Sequence, residues 1–380
     1  MRMQPSKQLS SSQDSKEPDS KPTVVIVGAG LAGTVLGRTL ERQGSSIQIW
    51  DHPNLGSASQ VAAGIWCPIN FHRLIPGWRA DEAIPCMLAF FAEEERHFGM
   101  QFMHSVPYWK PLLEDEQVAH WRRKMEELPE WLDLREGDQD ALDLKRICHH
   151  WGVKAWGVVR ASGWLNIEQY LQACRADWVR KGYIHEGPYK ESMANEILGI
   201  SHSTMLVDAR GYFAWQERQV GQESAVGQEG VFPKISVAAM RPAQGELVEF
   251  DLEGWPQDVL LKKELFIQPL GGQRFRAGAT FEWSRLSPIP TEEGRARLNA
   301  DLQKMLGPWW SKVKNLYYKA GIRPSSHDRR PYVGADPTRI NHFVFNGFGA
   351  KGVLLAPLMA EELTALMIHH QSLHPEAALG

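Results

Sequence analysis

The residues with the clearest capacity for chemistry are a glycine cluster near the start of the chain. Gly28-Ala29-Gly30-Leu31-Ala32-Gly33 follows directly on the apolar run VVIV at 24–27. It opens a segment with Leu31, Val35, Leu36 and Leu40 on one helical side. In such a turn each glycine has its own task. Gly28 permits the tight bend, Gly30 lets the backbone approach a pyrophosphate, and Gly33 lets helix and strand close up. The helix start then offers unpaired N–H groups and the positive end of its dipole to phosphate. Gly44 ends the helix, and residues 46–50 alternate as a second strand closed by Asp51. A carboxylate at that place hydrogen-bonds a ribose hydroxyl. A bare glycine triplet is a weak signal. Set between a buried strand and a helix, with an acid ending the next strand, it predicts dinucleotide binding. A glycine turn with no ligand is the competing reading.

A second strand, glycine loop and helix recur at the other end, in HFVFN, Gly347-Phe348-Gly349-Ala350-Lys351-Gly352 and the apolar segment after it. A helix N-terminus aimed at a ligand suits the N1–C2=O2 edge of a flavin, which becomes negative on reduction. This favours FAD over a nicotinamide cofactor. The alternative is a glycine hinge before an ordinary helix.

The elements that must position these loops are unevenly legible. Residues 85–150 contain helical stretches, MLAFFAEEERHFGMQF and EQVAHWRRKMEEL, rich in i,i+4 charge pairs. Residues 166–181 read as an amphipathic helix with Ile167, Tyr170, Leu171, Cys174 and Trp178 on one face, and 203–207 as a buried strand. Residues 231–283 carry β signals that predict a mostly antiparallel sheet, and 291–306 a helix. The stretch 217–230 reads as a surface loop, and residues 1–22 as a disordered polar tail.

Composition narrows the classes. With 380 residues, 43% of them hydrophobic, the chain buries a sizeable core and suggests two domains. Lysine plus arginine is 42 against 45 acidic residues, a net charge of −3, which gives no reason to expect nucleic acid as a partner. The fifteen tryptophans imply core packing or a pocket for a flat ligand. Cys67, Cys86, Cys148 and Cys174 form no C-x-x-C pair, which fits free thiols in a cytoplasmic protein. No apolar run approaches the ~20 residues of a membrane span, so no span is expected. His149-His150 lacks a spaced ligand partner, and no metal site is predicted.

Further motifs, in order, make the reading specific. GAGLAG with Asp51 is followed by Ser59-Gln60-Val61-Ala62-Ala63-Gly64 and Pro68, then GWLN (163–166), GELV (245–248), FIQP, GATFEW (278–283), AGIRPSSHDRRPYVG (320–334) and NGFGAKGVLLAP (346–357). The chain resembles the D-amino-acid oxidase/glycine oxidase/sarcosine oxidase superfamily over nearly all of 23–370, most weakly in the middle. The resemblance implies an α/β fold. A Rossmann-type FAD-binding domain would be assembled from 23–80, 151–212 and 321–380. A substrate domain on a mostly antiparallel sheet would come from 81–150 and 213–320. It implies that Gly28, Gly30, Leu31, Ala32 and Gly33 hold the pyrophosphate, with Asp51 and His52 at the ribose. Ser59, Ala62, Ala63, Gly64, Ile65 and Trp66 would wrap the flavin. Gly211, Gly321, Gly347, Phe348, Gly349, Ala350, Lys351 and Gly352 would complete the cofactor site. Arg323 matches the arginine that clamps a substrate carboxylate, a task suited to a planar fork of donors. A structural arginine paired with Asp328 or another acid is the alternative. Lys351, beside the flavin, would stabilise its reduced form or else point to solvent.

Two departures stand out. Asp208 and Arg210 put charge where the family is usually apolar. No histidine or cysteine matches a covalent attachment motif, so FAD is expected to be non-covalent. Trp66 and His72 face either the substrate or the core. The implied activity is oxidation of an amine, above all an amino acid (a D-amino acid, glycine or an N-methyl amino acid). Hydride would pass to flavin N5, the imine would be hydrolysed, and oxygen or another acceptor would take the electrons. Three alternatives stay open: a dehydrogenase passing electrons to a quinone or carrier, an oxidase of a modified tRNA base, and a flavin-binding protein without turnover. The net charge argues against the tRNA reading.

Overall fold

The structure, a computed structural model, describes residues 22–52, 57–136, 144, 148–217 and 240–377. Nearly all of the expected tail, the loop expected at 217–230 and the β signal in 229–240 lie outside the described residues.

Buried apolar runs build the first sheet. Thr23–Val27, Ser46–Asp51, Met205–Asp208, His342–Asn346, Tyr332–Ala335 and Ile184–Glu186 form six strands. The order across the sheet is Ile184–Glu186, Ser46–Asp51, Thr23–Val27, Met205–Asp208, His342–Asn346, Tyr332–Ala335. Five run parallel, with Ile26 beside Ile49 on one side and Val207 on the other, and Tyr332–Ala335 is antiparallel at the edge. Near-continuous hydrophobic strands are what burial on both faces requires. The helices Leu31–Arg42, Ile167–Lys181, Ala80–Phe98 and Gly352–His369 supply the covering residues, among them Val35, Leu36, Phe91, Tyr170, Leu355 and Met359. Gly352–His369 is, among the described residues, the one helix long and apolar enough to cross a membrane, a feature the sequence reading did not pick out. In this fold 56% of it is buried, against Leu31–Arg42 and Ala80–Phe98.

The second layer is an eight-stranded sheet. Its order is Lys314–Arg323, Ala243–Asp251, Arg274–Gly278, Phe266–Gly271, Leu260–Lys262, Tyr108–Leu112, Ala155–Val159, Leu132–Arg135. All neighbours are antiparallel except Leu260–Lys262 and Tyr108–Leu112. The single long β signal at 258–270 thus divides in two at Lys263–Leu265, where the chain reverses.

The helical stretches read in 85–150 are the helices Ala80–Phe98 and Asp115–Glu127, and Met103–Ser105, Tyr108–Leu112 and Leu132–Arg135 are strands between and after them. One expectation needs correction here. The block 151–212 is not wholly with the first sheet. Ala155–Val159 is buried at every position and pairs inside the large sheet, which recruits it by burying both its faces. Trp121, Trp156 and Trp178 are fully buried, and Trp50 and Trp178 also reach the cavity between the two layers.

Candidate active site

A cavity of about 1290 Å3 lies between the two layers. One side is the carboxyl ends of the parallel strands, through Gly28, Asp51 and Ala209; the other is the large sheet, through Tyr108, Leu247, Phe266 and Arg323. That edge is where open parallel sheets bind ligands.

The first glycine turn is built by packing. Gly28 has φ +105°, and its amide donates to the Trp50 carbonyl at 2.7 Å. A Cβ on Gly33 would lie 1.9 Å from the Gly28 carbonyl oxygen, so Gly33 exists to let helix meet turn. Gly33 itself is not on the cavity wall. A Cβ on Gly30 would meet nothing closer than Ser59 Oγ at 3.3 Å, and both residues face the cavity. The Ala29 amide donates to Asp51 Oδ1 (3.0 Å) and the Leu31 amide to Ser59 Oγ (3.0 Å), which joins the turn to the next strand and to the following loop. Asp51 Oδ2 accepts from Arg175 Nη1 at 2.7 Å. Arg175 also pairs with Glu186 and lines the cavity, a role the sequence did not disclose. His52 lines the same end, and its buried Nδ1 has no partner among the described residues.

The segment after it is stitched to the next motif. Gly64 has φ +72°, its carbonyl accepts from the Leu165 amide (3.0 Å), and a Cβ there would strike the Leu165 carbonyl oxygen. Ser59, Ala62, Ala63, Gly64 and Ile65 line the cavity. Trp66 does not: it is buried in the core of the first layer. His72 is exposed and also outside the cavity wall.

At the second glycine loop Phe348, Gly349, Ala350 and Gly352 line the cavity, with Gly211 and Gly321 beside them. The Gly349 and Lys351 amides are already spent on the Pro324 and Phe348 carbonyls, so the donors left at this helix start are those of Ala350, Gly352, Val353 and Leu354. Gly347 packs instead, since a Cβ there would lie 2.8 Å from the Tyr332 ring. Lys351 is not brought to the cavity wall. Its Nζ sits near Gly77, where burial and then the charge of Arg329 lower its pKa.

The structure brings Arg323 to the cavity at the end of the long strand Lys314–Arg323. Its guanidinium lies against the Gly245 backbone, and its Cζ is 5.1 Å from the Phe281 ring centroid. Its one hydrogen bond among the described residues is a long one, from Nη1 to the Gln244 carbonyl at 3.4 Å. Among the described residues no carboxylate pairs with it. Asp328 instead accepts from the Arg330 amide, so the expected structural alternative does not form. Burial lowers the pKa of Arg323, as it must for a cation without a counter-charge. The charges at Asp208 and Arg210 do compensate. Arg210 donates from Nε and Nη2 to both Asp208 oxygens (3.0 and 2.6 Å), pairs with Glu217 and lies over Tyr189.

The observed residues fit a dinucleotide cofactor: the space at Gly30, the orphaned His52 nitrogen and two helix starts all face one cavity. Sheet order, glycine turn and cavity define a dinucleotide-binding protein of two layers. The family described as FAD dependent oxidoreductase matches residues 23–366, and the chain belongs to it. It is an FAD-dependent oxidoreductase. It is similar to glycine oxidase of Pseudomonas aeruginosa, at 24% identity over 90% of this chain and 94% of that protein. Among solved structures it resembles iminodiacetate oxidase from Chelativorans sp. BNC1 (TM-score 0.72, 17% identity, 94% and 98% of the two chains). It likewise resembles glycine oxidase from Geobacillus kaustophilus (TM-score 0.72, 18% identity, 95% and 99%). These two likenesses establish the fold.

Proposed function

We propose that this enzyme oxidises the amine of an amino acid whose carboxylate is held by Arg323. When bound, FAD supplies a two-electron acceptor that converts the amine to an imine, which water hydrolyses. The chain supplies orientation and electrostatics. The observation that carries this reading is a half-buried guanidinium on the cavity wall with no carboxylate partner among the described residues. A cation in that state gains most from an incoming carboxylate, because a charge-assisted fork replaces lost hydration. The matched glycine oxidase, whose name gives an amino-acid substrate, supports the same class. Non-covalent FAD, pyrophosphate on the Gly28–Gly33 turn, ribose at Asp51 and a cytoplasmic location belong to the proposal; four unpaired cysteines support the last. Oxygen or a carrier takes the electrons.

The test is Arg323→Ala in the FAD-loaded enzyme. A charged hydrogen bond is worth ~1.5–3 kcal/mol and a bidentate pair more, so kcat/KM for an amino acid should fall about 10- to 1000-fold with FAD content unchanged. Arg323→Lys should restore little, since an ammonium lacks the fork. Undiminished turnover by Arg323→Ala would show that the carboxylate is held elsewhere.

A further inference from the structure

We propose that the amino acid taken by this site carries a large apolar, above all aromatic, side chain. The inference rests on the amino-acid reading of Arg323 and names the part of the substrate that reading leaves open. Phe281 stands beside the Arg323 guanidinium and packs on Trp283, with ring centroids 4.6 Å apart at 60°. The two rings are 45% and 58% exposed. Aromatic side chains of this size are strongly favoured by burial, so a pair left half in water beside a binding cation is a surface suited to a ligand.

Neither ring is on the cavity wall itself; the wall next to them is apolar as well. Gln244, whose carbonyl accepts from Arg323, exchanges two backbone bonds with Glu282 (2.8 and 3.0 Å). Its Oε1 accepts from the Ser287 amide at 2.8 Å. These bonds fix the segment 282–288 against the cavity, and Leu286 and Pro288 form part of the wall. On the other side Gly211 lies near Pro324, the residue after Arg323, and is followed on the cavity wall by Tyr212 and Phe213.

The acids nearby are occupied. Glu282 accepts from the Trp283 and Ser284 amides and the Ser284 hydroxyl (2.8, 2.7 and 2.7 Å), and Glu246 is tied to the start of the helix Glu292–Leu306 through Thr291. Glycine would leave the aromatic pair unused.

The experiment compares kcat/KM for phenylalanine, leucine, glycine and lysine, each chiral acid in both enantiomers, on the holoenzyme and on Phe281→Ala and Trp283→Ala. Apolar pocket contacts discriminate by roughly 10- to 200-fold. The parent should favour one enantiomer of phenylalanine over glycine by at least about 10-fold. Both variants should lower the phenylalanine-to-glycine ratio by a similar factor. Using the ratio cancels any general effect on folding or on Arg323. Equal or better use of glycine, or an unchanged ratio in both variants, overturns the inference and leaves the amino-acid reading standing. Failure of every amino acid to reduce the flavin overturns both.

Discussion

The guanidinium of Arg323 lies so close on Gly245 that a Cβ built on the glycine would stand 2.1 Å from Nη2 and 2.4 Å from Cζ. Gly245 pairs with Gly321 across the strands, and Ala243 with Arg323, so the side chain folds back over its neighbour's missing side chain. Gly245→Ala should therefore displace the fork without touching the glycine turn. Expected are normal FAD content and a fall of about 10- to 1000-fold in amino-acid kcat/KM, resembling Arg323→Ala. Steady-state kinetics beside flavin absorbance decide it. Parent-like kinetics would mean that the guanidinium moves freely.

Gly30 and Gly33 should fail in different ways. At Gly33 the added methyl collides with backbone at 1.9 Å, so Gly33→Ala should destabilise the apoprotein by ~1–3 kcal/mol. At Gly30 the space belongs to the cavity, so Gly30→Val should leave apoprotein melting close to the parent and abolish FAD uptake. Calorimetry of the apo forms, then titration with FAD, separates the two. Tight FAD binding by Gly30→Val would remove the pyrophosphate from this turn.

These positions also show what the sequence disclosed. The turn Gly28–Gly33, Asp51 and the second glycine loop were legible because they are local: strand, bend and helix start lie within a few residues. Arg323 was singled out by the family resemblance alone. Arg175 was not legible, since it comes to Asp51 only when the helix Ile167–Lys181 packs beside Ser46–Asp51, and nothing local marks that meeting. Gly245 was visible in GELV, but its service to Arg323 depends on antiparallel register. Lys351 misled for the converse reason. A loop's backbone can face a cavity at Ala350 and Gly352 while the side chain between them turns away. Ala155–Val159 was misplaced because a short buried strand carries no mark of the sheet it joins.

Arg175 fixes Asp51 through one carboxylate oxygen while the Ala29 amide takes the other. Arg175→Ala should free the carboxylate to rotate and weaken FAD binding. The arginine is part-exposed, so the effect should be modest, about 3- to 10-fold in Kd. Fluorescence titration of the apoprotein measures it, and salt should narrow the difference from the parent. An unchanged Kd would mean that Asp51 does not serve the ribose.

Acid precipitation should release all of the flavin into the supernatant. Covalent attachment requires a nucleophilic side chain at the ring. Among the described residues on the cavity wall there is no cysteine, and the one histidine is His52. That residue follows Asp51 at the carboxyl end of its strand, the ribose side in this proposal. Cys67, two residues past Ile65 of the wall, is the nearest thiol in the chain. Its Sγ donates to the Ile69 carbonyl at 3.5 Å, and burial pushes its pKa up to about 12. A thiol so raised stays protonated near neutral pH and is a poor nucleophile. Absorbance of supernatant and pellet after precipitation gives the answer directly, and Cys67→Ser should carry FAD as the parent does. Colour that stays with the pellet, and leaves it in His52→Ala or Cys67→Ser, would identify an attachment site and refute the non-covalent reading while leaving FAD itself in place.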